Sequence, residues 1–161
     1  MKKSSTIFLQ VVVVLIGIVA LAIMIRFPLT EGRATNLDLF SIYADPFIVY
    51  GYVASIAFFV ALYQAFTLLG YIGQNNVFSL SSVKALRNIK YCAIVLSVLI
   101  VAAAIYIRVS FDGNTDDDPA GFIAVSIMAT FISIVVATAT AVFEKTLQSA
   151  MDIKSENDLT V

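Results

Sequence analysis

The feature that most constrains this chain is a repeated one: four long apolar runs that no charged residue breaks well inside. They cover residues 7–25, 46–72, 90–109 and 120–143. A bilayer core about 30 Å thick is crossed by about 20 helical residues rising about 1.5 Å each. Lipid offers no hydrogen bonds, so the backbone of such a run satisfies itself as a helix. The sequence therefore predicts an all-α, four-transmembrane-helix bundle, a single membrane domain over residues 1–161. Composition agrees. Of the 161 residues, 60% are hydrophobic and 13% charged, against roughly 45–50% apolar in soluble domains.

The distribution of cations orients the spans, because short cytoplasmic loops hold the excess of Lys and Arg. Lys2, Lys3, Lys84, Arg87, Lys90, Lys145 and Lys154 fall on one side, and Arg26, Arg33 and Arg108 on the other. Both termini are thus predicted to be cytoplasmic, with residues 26–45 and 110–119 outside. Ala20-Leu21-Ala22 resembles a signal-peptidase site. The apolar run continues through Ile23, Met24 and Ile25, so we read the first span as an uncleaved anchor. A cleaved, three-span form is the other reading.

Several chemistries are excluded. With one cysteine, Cys92, and no histidine, the chain has no intrachain disulfide, no CxxC centre, no His-based triad and no His/Cys metal site. Cys92 lies in an apolar run and reads as a small core residue. A net charge of −1 argues against direct nucleic-acid binding. Proton-coupled exchange normally uses an ionisable group inside the membrane, and none is present. Near the membrane edges only Asp45 and Glu144 could serve a membrane-embedded enzyme, and neither has a partner visible in the sequence. No enzymatic activity and no cofactor is expected.

One loop resembles the start of an EF-hand. Asp112, Asn114, Asp116 and Asp118 alternate as calcium ligands do. Asp117 then stands where glycine is required and Ile123 where a bidentate glutamate is required. A solvated acidic turn is the favoured reading, with a weak cation site as the alternative.

Small residues mark helix contacts in lipid. Ala129, Ser133, Ala137 and Ala141, and likewise Ala57, Ala61 and Ala65, recur every fourth position. Packing within one chain is the first reading and a homodimer seam the second. Ser and Thr in the spans are expected to bond back to their own helices, and Gln64 to reach a neighbouring helix.

On the cytoplasmic side, Gly73–Ser79 reads as a turn leading into a helix. Ser79 is its N-cap, and Phe78 and Val83 have the spacing of a hydrophobic staple. The helix should start near Leu80 and run unbroken into the third span. Val83 and Leu86 would face the membrane or the bundle, while Lys84, Arg87 and Lys90 reach lipid headgroups or a partner. The fourth span should also continue past the membrane. Phe143, Leu147, Ala150 and Met151 are placed on one face, with Glu144, Lys145, Gln148 and Asp152 opposite. The tail, Ser155 to Val161, is acidic; a disordered terminus is the first reading and a docking peptide the second. Asp158 and Leu159 are candidate docking residues, and the tail acids could pair with Lys84, Arg87 and Lys90.

The segments Phe78-Ser79 and Ser82-Val83-Lys84-Ala85-Leu86-Arg87-Asn88-Ile89-Lys90, and the ending Glu156-Asn157-Asp158-Leu159-Thr160-Val161, resemble the bacterial family catalogued as domain of unknown function 2975. The resemblance runs over nearly the whole chain, including the four spans. It implies a multi-pass protein of the bacterial plasma membrane and a pairing with a small cytoplasmic helix-turn-helix regulator. It implies no catalytic residues. Two function classes follow. One is a non-enzymatic regulatory or immunity-type protein acting through cytoplasmic protein–protein contacts. The other is a small transporter or channel subunit working as an oligomer. The first is favoured.

Overall fold

The computed structural model describes residues 3–30, 38–110 and 119–158. They form five helices: α1 (Lys3–Thr30), α2 (Leu39–Tyr43), α3 (Pro46–Gly73), α4 (Leu80–Ser110) and α5 (Ala120–Asp158). Four of them, α1, α3, α4 and α5, are long and apolar enough to cross a membrane. The short α2 lies in the segment that the sequence left as a plain outer connection. The chain divides into two compact units, Met1–Val77 and Phe78–Val161.

Local chemistry sets the helix ends. Asp45 is the N-cap of α3, its Oδ1 accepting from the N–H of Phe47 at 2.8 Å and of Ile48 at 3.4 Å. Pro46 follows at the first helical position, where a missing N–H costs nothing. The carboxylate considered for chemistry at this membrane edge is therefore occupied with capping. At the other end of α3, Asn75 has φ of 57°. The N–H of Asn76 donates to the Tyr71 carbonyl at 2.9 Å and that of Asn75 to the Ile72 carbonyl at 3.2 Å. This is a Schellman closure, with asparagine in the left-handed position usually filled by glycine. As predicted, α4 starts at Leu80. The Ser82 N–H donates to Ser79 Oγ at 3.2 Å, and the two hydroxyls lie 3.0 Å apart.

In the first unit α1 and α3 pack antiparallel. Gln10 Nε2 donates to the Phe66 carbonyl at 3.3 Å near one end, and Tyr52 Oη to the Met24 carbonyl at 3.1 Å near the other. The covered positions of α1 include Thr6, Gln10, Val13, Gly17, Ala20 and Met24. Their alternating spacing of four and three is the 3.5-residue period of left-handed helix pairs. Close approach needs small residues here. A Cβ on Gly73 would sit 3.2 Å from Thr6 Cγ2, and one on Gly17 3.7 Å from Leu62 Cδ1. The expected interhelical bond from Gln64 is not seen among the described residues, and Gln10 makes the link instead. α1 runs unbroken through Ala20–Ala22 and contacts α3 on both sides of it.

Pro28 lies inside the last turns of α1. Having no N–H, it leaves the carbonyl four residues earlier, that of Met24, without its helical donor. Tyr52 supplies one across the interface. Tyr43 Oη makes the neighbouring bond to the Ile25 carbonyl at 3.1 Å, and the two tyrosine rings stack with centroids 6.5 Å apart. An unpaired carbonyl at this depth costs about 1–3 kcal/mol. Tyr52→Phe should therefore lower the unfolding free energy of the purified protein by about 1–3 kcal/mol. Adding Pro28→Ala, which returns the N–H to the helix, should recover most of that loss. Equal losses in the single and double variants would break the link between the two residues.

Candidate functional site

In the second unit α4 and α5 also pack antiparallel. Residues at the start of α4 pair with Glu144 late in α5, and the end of α4 shares a groove with the start of α5. The covered positions of α5 include Ser126, Thr130, Ser133, Ala137, Thr140, Glu144, Leu147 and Met151. Those of α4 include Ser82, Leu86, Ile89, Ala93, Leu96 and Ile100. Both again step by four and three, the knob spacing of two-stranded packing. The stripe read from the sequence, Ala129, Ser133, Ala137 and Ala141, is covered along its whole length. Two buried hydroxyls in this span bond to their own helix. Ser126 donates to the Phe122 carbonyl and Thr140 to that of Val136, which removes the cost of burying them.

Glu144 continues this seam where the apolar part of α5 ends. Its side chain is 7% exposed. Arg87 Nε donates to Oε1 at 2.7 Å and Lys90 Nζ to Oε2 at 2.6 Å. Lys90 Nζ also stands 5.0 Å from the centroid of the Tyr91 ring, within cation–π range. The sequence reading put Glu144 opposite Leu147 and Met151, and the structure corrects it. Glu144, Leu147 and Met151 share the covered face, and Phe143 is exposed. Spacings of three and seven residues place Glu144 on the face of Leu147 and Met151 even on a 3.6-residue wheel, so it is its charge, and not its position, that turns it outward in the sequence reading.

The bonds of Lys90 and then Arg87 hold the Glu144 carboxyl below its ordinary value, outweighing the opposing effect of burial. Glu144 in turn raises the Arg87 guanidinium, first through the hydrogen bond and then through its charge. Two cations thus hold one carboxylate ionised where water is scarce.

The other residues singled out from the sequence fall as follows. Lys84 is exposed, and Val83 and Leu86 are buried. Lys90 is half-buried on Glu144, and the Arg87 side chain is 46% exposed. Leu147 and Met151 are half-buried in the seam. Both Arg87 and Lys90 pair with Glu144. Asp112, Asn114, Asp116, Asp118 and Leu159, and the side chain of Asp158, lie outside the described residues. Among the described residues no group of three or more His, Cys, Asp and Glu side chains could hold a metal.

With this geometry in view, comparison with known proteins assigns the chain. The family model described as protein of unknown function (DUF2975) matches residues 28–161. The chain belongs to this family. The match starts after most of the first span, so it is narrower than the resemblance read from the motifs. A relative from Bacillus subtilis (strain 168), the uncharacterized membrane protein YoaS, is 44% identical over 166 residues and spans the full length of both chains. No solved structure matches. The family member described here is a multi-pass membrane protein with four spanning helices.

The Glu144 cluster has a pH signature. A carboxyl whose folded value is depressed stabilises the fold above its unfolded pKa of about 4.3. That contribution is lost as the pH falls through the folded value. At neutral pH, Glu144→Gln should lower the melting temperature by roughly 2–4 °C. The gap between wild type and variant should close as the pH drops below about 4. A gap that stayed constant down to low pH would remove the ionised carboxylate from the account.

Proposed function

We propose that this protein is a non-enzymatic membrane protein that acts through protein–protein contacts at the cytoplasmic end of the α4/α5 hairpin. The observation that carries the reading is the continuation of α5 as one helix to Asp158. The 15 residues after Phe143 are about 22 Å of helix, which places a long helical surface beyond the apolar span. Glu144, Arg87 and Lys90 clasp the base of this projection. Leu147 and Met151 face inward, while Gln148, Asp152, Ile153, Lys154 and Glu156 are exposed. Ile153, 65% exposed among these polar and charged residues, is the apolar side chain this surface offers to a partner.

A small cytoplasmic helix-turn-helix regulator is the partner we propose, and the family resemblance is its support. The transporter or channel reading has less to rest on. The spans carry no Asp, Glu, Lys or Arg well inside, and the hydroxyls of Thr67, Ser97, Ser126 and Thr138 are used by their own helices.

A photo-crosslinking residue at Ile153, introduced into the full chain in cells, tests the proposal. The expected product is a discrete adduct with a small DNA-binding protein, absent when the crosslinker replaces Val135 in the span. Substrate-dependent flux through proteoliposomes, with no adduct from Ile153, would overturn it in favour of transport.

A further inference from the structure

The Glu144 cluster uses only one edge of Arg87. Nε donates to the carboxylate, which fixes the plane of the guanidinium. The side chain remains 46% exposed, so the two terminal nitrogens have no described acceptor. Lys84, one turn earlier on α4, is exposed and forms no ion pair among the described residues. Residues three apart on a helix are surface neighbours, with Cβ atoms about 5–6 Å apart. Three cations, Lys84, Arg87 and Lys90, therefore share this edge with one carboxylate, leaving an excess of positive charge.

The face continues towards the membrane. Tyr91 stands one turn beyond Arg87 and is 56% exposed, its ring beside the Lys90 ammonium. Ile94, Val95 and Val98 follow, all exposed. Lys84, Arg87, Tyr91, Ile94 or Val95, and Val98 form one stripe by helical spacing, on the side of α4 away from the covered Leu86, Ile89 and Ala93. Depth agrees with this order. If the apolar span starts near Lys90, Arg87 and Lys84 lie about 4.5 and 9 Å above it at about 1.5 Å per residue. Arg87 is thus at the level of the headgroup layer, about 5–7 Å thick on each side of the hydrocarbon, and Lys84 is just beyond it, from where its long side chain reaches back. Tyr91 sits at the boundary that tyrosine favours.

We infer that this stripe is a binding site for one anionic phospholipid. Lys84 and the outer edge of Arg87 hold the phosphate, Tyr91 lies beside the glycerol, and an acyl chain runs along Ile94, Val95 and Val98. Glu144 acts as a positioning residue: it orients the guanidinium and contacts no lipid. The site needs only an anionic leaflet, so it stands independently of the docking role proposed above.

The test uses the full-length protein in a neutral detergent. Phosphatidylglycerol, phosphatidylcholine or inorganic phosphate is added, and retention is read by native mass spectrometry alongside the melting temperature. One phosphatidylglycerol should be retained, with phosphatidylcholine retained much less and phosphate giving no stabilisation. Lys84→Gln leaves the Glu144 cluster whole and should weaken retention roughly fivefold, the effect of one interfacial cation. Adding Arg87→Gln should weaken it further. Lys154→Gln, far along α5, should change nothing. Equal retention of the two lipids, undiminished retention in Lys84→Gln, or an equal loss in Lys154→Gln would each overturn the site. Stabilisation by phosphate alone would replace it with a free-anion site.

Discussion

A carboxylate buried in a helix seam is held as the ion by the cations that pair with it, and the pairing of Glu144 organises the second half of this molecule. Arg87 and Lys90 lie one turn apart on α4 and grip the two oxygens of Glu144 separately. That grip fixes the register of α5 against α4. It also draws the seam of small residues, Ser133, Ala137 and Thr140, towards the facing helix. Without the grip, van der Waals contact between small side chains would be left to set the register, and such contacts discriminate weakly in lipid. Oriented by Glu144, Arg87 keeps its outer edge for other contacts.

The first half solves a related problem with neutral groups. Its constraint is a carbonyl left without a donor by Pro28, and its solution is the Tyr52 hydroxyl on the partner helix. Gln10 plays a matching part near the opposite end of the pair. In both units, then, a pair of long helices meets along a 3.5-residue seam of small and polar residues and is tied by side-chain bonds near the ends. The energetic logic is common to both: lipid supplies no hydrophobic drive between helices, so close packing and satisfied polar groups hold them together.

The parts of this fold that were legible in the sequence are those set by local chemistry. Apolar run length predicted four spanning helices. Ser79 marked the start of α4, and Pro46 the start of α3. The continuations of α4 and α5 followed from unbroken helical pattern. What escaped depends on partners distant in sequence. Glu144 reads as an outward charge because its two cations are 57 and 54 residues away. Gln10 was passed over inside an otherwise apolar run, and Gln64 was credited with the bond it makes. The α1 seam has no amphipathic signature, since lipid-facing and helix-facing positions are alike apolar, and its small residues differ in size alone. The small α2 is held beside α1 by Tyr43 and its ring contact with Tyr52, which no propensity in residues 39–43 announces.

The account rests centrally on Glu144 closing the α4/α5 hairpin in the bilayer, and a distance measurement addresses that directly. Spin labels at the exposed positions Ser81 and Ser149, in a Cys92→Ser background reconstituted in lipid, report the separation of the two helices beside the cluster. A short, narrow distance distribution is predicted for the chain with Glu144 intact, and a longer, broader one for Glu144→Gln. Identical distributions with and without the carboxylate would contradict it.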